Sequence, residues 1–239
     1  MRSMRFVVGL LVAVCAMAPA SAGIVINSNA AGQSFAMAYT GLVGGVTTNN
    51  VTAQGNFTFT SVSNAGKTFN FTYNMLNNSN YDSRLSSFGF NAAPNISSVS
   101  STGYFGYSNT NANYPQGIGN IEICFTAVSN GTCTGNGAGL TSNPDQSGSG
   151  TFALTFANAM SSIELSDFAV RFQSINPKIN GSSSGVGTGS LIGLDGGVVG
   201  AAPDPATWML MLTGFGLVGM AMRRRGSAFS PQPGVFLAR

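Results

Sequence analysis

The 239-residue chain contains no histidine. That absence removes Ser-His-Asp and Cys-His nucleophilic constellations, and most zinc and iron hydrolytic sites, because each needs an imidazole. Charge is scarce too, at 7% of residues, so Ser, Thr, Asn and Gly must keep the surface soluble. The formal charge of +3 misleads, since Arg2, Arg5, Arg223, Arg224, Arg225 and Arg239 all lie near the termini. Between Gly23 and Ala202, Lys67, Arg84, Arg171 and Lys178 stand against Asp82, Glu122, Asp145, Glu164, Asp167 and Asp195, leaving the body at −2. Such a body offers no electrostatic footprint for nucleic acid.

The first 22 residues have the grammar of a cleaved leader. Arg2 and Arg5 form a basic start, Phe6 to Met17 is uncharged and apolar, and Ala20-Ser21-Ala22 has small residues where signal peptidase reads them. The apolar core is too short to span about 30 Å of hydrocarbon as a stable helix. The expectation is Sec export with cleavage between Ala22 and Gly23. Cys15 does not make a lipoprotein site, because Val14 stands where a small residue is needed.

From Gly23 to about Gly193 hydrophobicity alternates with period two. "NFTFTSV", "TFNFTYN", "TFALTF" and "FAVRF" place Phe57 and Phe59, Phe69, Phe71 and Tyr73, Phe152, Leu154 and Phe156, and Phe168, Val170 and Phe172 on single faces. "SFAMAYTG" and "SSFGFNA" read as further strands, and "SNAGK", "NNSNYDS" and "SNPDQSGSG" as turn clusters. The expected fold is all-β, an antiparallel sandwich or jelly-roll-like domain over 23–193. "DFAVRFQSI" fits a helix or a strand.

Two cysteines survive cleavage. Cys124 and Cys133 flank the turn signal "SNG", and in an oxidising compartment a structural disulfide is the expectation. Closing so short a loop stabilises by about 2.5–3 kcal/mol in the chain-entropy picture.

Candidate chemistry is thin. Asp82, Glu122, Glu164 and Asp167 are the acids from which a glycosidase pair would have to come. Glu164 and Asp167, three apart, face opposite sides on an extended strand, which favours solvated edge charges. "GVGTGSLIG" at 185–193 lacks the strand–loop–helix context of a nucleotide loop and reads as a flexible linker. "NPDQSGSG" and "LDGG" lack the spaced acids of a calcium loop. Catalytic residues, cofactor and metal are therefore all assigned as none. In "GYFGYSNTNANYPQG", Tyr104, Tyr107 and Tyr114 are candidates for stacking on sugars, set against core packing of a strand.

A second apolar segment, Pro205 to Met222, has 18 uncharged residues and reaches about 27 Å as a helix. Trp208 suits one interface, and Arg223, Arg224 and Arg225 stop it on the cytoplasmic side. Pro203 and Pro205 hold the approach extended, as a protease substrate must be. Pro203-Asp204-Pro205, Trp208, the Met/Leu run, Gly214, Gly216, Gly219 and the arginine cluster resemble a PEP-CTERM sorting domain. That resemblance implies recognition by an exosortase, an integral-membrane transpeptidase-like enzyme that cleaves near the motif. Asp204 replaces the family's glutamate, and the segment 226–239 runs on where family members usually stop. "RLSSFGFNAAP", "EICFTAVSNGTCTGNGAGL" and "FAVRFQSI" are similar to the two-cysteine cistern subgroup.

The resulting organisation is a signal peptide (1–22), a β body (23–193), a Gly/Ala-rich linker (194–202), a sorting segment with one transmembrane helix (203–225) and a disordered tail (226–239). The resemblance implies a Gram-negative protein exported by the Sec translocon and held transiently in the inner membrane. It then reaches the surface or matrix, without enzymatic activity and associated with exopolysaccharide or biofilm. Two rivals are a secreted carbohydrate-active enzyme using a carboxylate pair and a permanently anchored binding module.

Overall fold

A computed structural model describes residues 23–129, 132–134, 137–195 and 199–200. All belong to one compact unit, Ala22–Ala202. The leader 1–22, the sorting segment 203–225 and the tail 226–239 lie outside the described residues, and with them Ala20, Ala22 and every sorting-motif residue from Pro203 to Arg225.

The alternating segments are strands, and no helix occurs among the described residues. In chain order they are β1 (Ile24–Asn27), β2 (Ser34–Val43), β3 (Val46–Ser63), β4 (Thr68–Asn77), β5 (Asp82–Ala93), β6 (Ser98–Gly103) and β7 (Tyr107–Tyr114). There follow β8 (Gly119–Thr126), β9 (Leu140–Thr141), β10 (Gln146–Thr155), β11 (Ser162–Asn176), β12 (Gly185–Asp195) and β13 (Val199–Gly200). Every pairing is antiparallel, and the main path runs β6-β10-β4-β3-β2-β12-β11-β5-β8-β7.

Packing of the inward rings folds this long sheet over itself. Phe152 of β10 lies 5.0 Å from Phe125 of β8 and 5.5 Å from Phe90 of β5, centroid to centroid. Phe57 of β3 lies 5.8 Å from Phe168 of β11. The β10-β4-β3 half therefore faces the β11-β5-β8 half across one aromatic core, as in a sandwich. The two ends of the path are consecutive strands, β6 and β7, and the Ser108 hydroxyl donates to the Val99 carbonyl at 3.4 Å across that seam. The result is intermediate between a sandwich and a nearly closed barrel. Each buried Phe contributes about 1.5–3 kcal/mol of transfer free energy, and offset or edge-on ring pairs add to it.

Two glycine-rich segments depart from the reading above. "GVGTGSLIG" is no flexible linker. It forms most of β12, paired with β2 and β11 in the middle of the sheet. A Cβ on Gly187 would press on Val170, Phe172 and Tyr39, so the glycine makes room for neighbouring large side chains. Likewise only the first part of "SNPDQSGSG" is a turn, because Gln146–Gly150 opens β10. There a Cβ on Gly150 would meet the Thr102 carbonyl and the Tyr73 hydroxyl. The region expected to be linker also contributes pairing, since β12 extends to Asp195 and Val199 and Gly200 pair with β1.

β11 settles as a strand, and its irregularity organises one edge. A bulge between Ser166 and Ala169, with Asp167 at φ 51°, divides it. Before the bulge it pairs with β1, and after it with β12.

Candidate functional site

The described strands separate charge by half. None of the ten charged residues of the body lies in β2, β3, β4, β6 or β10. Their inward positions are filled by aromatic and aliphatic groups, and their outward positions mostly by Thr, Ser, Asn and Gln. Register then aligns the hydroxyls. Ser34, Thr58, Thr72, Thr151 and Thr102 are successive direct partners across five strands. Asn56, Asn74 and Ser149 form a parallel row, and Ser63, Thr68, Thr155 and Ser98 another. Neighbouring strands stand about 4.8 Å apart, so the polar groups form a regular lattice.

Hydrogen bonds within the lattice hold the side chains in place. Thr102 and Thr151 share one of 2.7 Å, Thr68 and Thr155 one of 3.0 Å, and the Asn74 amide donates to the Ser149 hydroxyl at 2.7 Å. Small side chains at Ala153 and Ser100 leave a shallow cleft of about 260 Å³, bordered by Thr60, Asn70, Thr102 and Thr151. The lattice is one-half of the same alternation that builds the core. Its alignment depends on register, which local sequence does not reveal.

The candidate tyrosines divide. Tyr104 and Tyr107 are exposed, 38% and 47%, beside the β6–β7 seam. The Tyr104 side chain packs where a Cβ on Gly148 would lie, on the inward side of β10, so its ring is on the face opposite the Thr151 row. Tyr114 is buried and cannot contact a polymer: its hydroxyl meets Ser87 at 3.0 Å, and burial raises its pKa well above the usual phenol range. The strand reading accounts for it, and for buried Phe105.

Tyr114 belongs to a second, smaller core on the outside of β7-β8-β5-β11-β12, with Ile121, Cys124, Cys133, Ala169 and Val186. Cys124 and Cys133 are disulfide-bonded, with Cα atoms 6.1 Å apart. The bond pins the excursion after β8 over this face. The Ser87 hydroxyl donates to the Cys133 carbonyl at 2.8 Å, and Arg171 Nε to the Thr134 carbonyl at 2.7 Å. Arg171 also donates to the Gly185 carbonyl and the Ser184 hydroxyl. Burial lowers its pKa, partly offset by Tyr114. Nothing in the spacing of Arg171 marks this clamp, because its acceptors come from two distant segments.

The acids are dispersed. Both oxygens of Glu122 accept backbone N–H groups, from Ala92 at 3.1 Å and Ile96 at 2.8 Å, which holds the turn after β5. Asp167 accepts from the Asn91 amide at 2.9 Å and the Ser166 hydroxyl at 3.2 Å. The bulge interrupts the alternation that would set Asp167 opposite Glu164. Asp82 accepts from the Asn143 amide at 3.1 Å and sits in a cleft of about 260 Å³ with Arg84 but no second carboxylate. Among the described residues, no three Asp, Glu or Cys side chains come together as metal ligands would. No protein-family model, curated protein or solved structure matches this chain.

Proposed function

We propose that this protein is an exported, non-enzymatic component of the cell surface or extracellular matrix that holds a neutral polysaccharide. The carrying observation is the charge-free lattice of hydroxyls and amides over β6-β10-β4-β3-β2. A neutral polyhydroxylated chain exchanges hydrogen bonds with such a face without stripping water from an ion, which is the expensive step for charged groups. Lattice side chains already held by one another lose less entropy on contact. The dispersal of the carboxylates into turn and bulge contacts supports a binding role over hydrolysis.

Delivery rests on the termini. The leader sends the body through the Sec translocon, and signal peptidase cuts before Gly23. The transmembrane helix and Arg223–Arg225 hold the chain in the inner membrane of a Gram-negative cell until an exosortase reads Pro203-Asp204-Pro205. The disulfide is in keeping with an oxidising destination.

Retention of the purified body on gels of neutral and anionic polysaccharide tests the binding role. The neutral gel should retard it, and Thr72→Arg with Thr151→Arg should abolish the delay while the fold persists. Equal retention of wild type and variant, or turnover of the polymer, overturns the proposal. Intact mass of the envelope form tests delivery: a retained tail would make it a permanently anchored module.

A further inference from the structure

We propose that Glu164 is the docking partner of the α-ammonium group that leader cleavage creates at Gly23, so that maturation itself locks the first strand of the body. The inference rests on the export reading, with the cut between Ala22 and Gly23.

Gly23 is buried at the entrance to β1. The volume that a Cβ would occupy there is filled by the Glu164 side chain, Oε1, Cδ and Cγ together. At Gly23, therefore, the space taken by Glu164 calls for glycine. A Cβ lies within about 2.5 Å of its own residue's nitrogen. A carboxylate occupying that volume is therefore within ion-pair reach of the Gly23 nitrogen.

The Glu164 carboxylate makes no hydrogen bond or ion pair with any described residue, in contrast to Glu122 and Asp167. Among the described residues, the cations of the elements packed around it lie farther along the strands, Arg171 of β11 opposite Ser87 and Arg84 of β5 opposite Gln173. Its partners on β1 and β5 are Val25 and Ala93, and β13 offers Val199 and Gly200. Asp167, the other acid of β11, is directed to Asn91. In the uncut chain the Gly23 nitrogen is a neutral amide with one donor. Hydrolysis adds one water across the Ala22–Gly23 bond: Ala22 departs with a carboxylate, and Gly23 keeps the nitrogen as an ammonium with three donors. A positive charge thus appears beside a half-buried carboxylate. The carboxylate then favours the charged form of the amine, and a hydrogen bond between two ions is about twice as strong as a neutral one.

The latch has a consequence at the other end of the body. β13 pairs only with β1 among the described residues, and Ile24 lies directly opposite Gly200. Securing β1 at Gly23 steadies the strand with which Val199 and Gly200 pair, three residues before Pro203.

The test uses mature protein recovered from the envelope. Its intact mass should correspond to a chain beginning at Gly23; any other start overturns both the assigned cut and the latch. The Gly23 amine is then titrated by NMR, folded and in urea. The unfolded amine should titrate at about 7.7–8.0, and the folded one about one pH unit higher. The pair's stabilisation is accordingly present below the unfolded value and lost as pH rises through the folded one. Glu164→Gln should abolish the shift, and Asp167→Asn should preserve it. A chain that begins at Gly23, yet whose amine titrates identically folded and unfolded or ignores Glu164→Gln, refutes the latch and leaves export standing. Should Glu164→Gln fail to fold, the comparison within the wild-type protein decides alone.

Discussion

Removing the Cys124–Cys133 bond is the perturbation whose size follows most directly from the structure. The cysteines are nine positions apart, and the loop they close restricts the unfolded chain by about 2.6 kcal/mol in the chain-entropy model. Both residues are buried, and the excursion they pin supplies the Cys133 and Thr134 carbonyls to Ser87 and Arg171. Those hydrogen bonds would be loosened as well, so about 2.6 kcal/mol is a lower bound for the double variant Cys124→Ala with Cys133→Ala. For a body of this length it corresponds to a fall in Tm of about 5–10 °C. The assay is urea unfolding of the purified body, oxidised, reduced, and as the double alanine variant. The last two curves should coincide, with midpoints well below the oxidised form. A loss under about 1 kcal/mol would refute the reasoning, because Ser87 and Arg171 would then be closing the excursion without covalent help.

Three further outcomes follow from the core and its phenols. Phe152 touches rings of both layers, with Phe71 at 4.8 Å and Phe125 at 5.0 Å, so Phe152→Ala should cost about 3–5 kcal/mol in chemical unfolding; a cost below about 1.5 kcal/mol would contradict the two-layer packing. The Tyr39 hydroxyl is buried without a partner among the described residues, so Tyr39→Phe should raise stability by about 1 kcal/mol, and a loss would show that the hydroxyl is bonded. Burial raises the pKa of Tyr39, Tyr73 and Tyr114, that of Tyr73 up to about 12. Their contribution is complete below the unfolded phenol value of about 10 and falls above it, by about 4 kcal/mol per pH unit for the three together. Alkaline unfolding followed by phenolate absorbance checks this, and ionisation of all three near pH 10 in a still-folded chain would refute it.

The sequence alone determined that this body is antiparallel β. In "TFNFTYN" and "TFALTF" the alternation is local, and a residue's face follows from its parity. The two-cysteine staple was legible as well, from two cysteines flanking the turn signal "SNG" in a chain whose start has the grammar of an export leader. Only tertiary structure decided the places where the cause lies on another strand. Gly150 and Gly187 look like loop residues until the Thr102 carbonyl and Tyr73 at the first, and Val170 and Phe172 at the second, are seen occupying the space of their missing side chains. Whether Tyr114 stacks on a ligand or packs in a core is decided only by the pinned excursion beside it, and the Thr lattice exists only once register lines up Ser34, Thr58, Thr72, Thr151 and Thr102. Periodicity travels along the chain and can be read there; register and close approach are relations between segments far apart in sequence, and they come into being only when the sheet folds over its core.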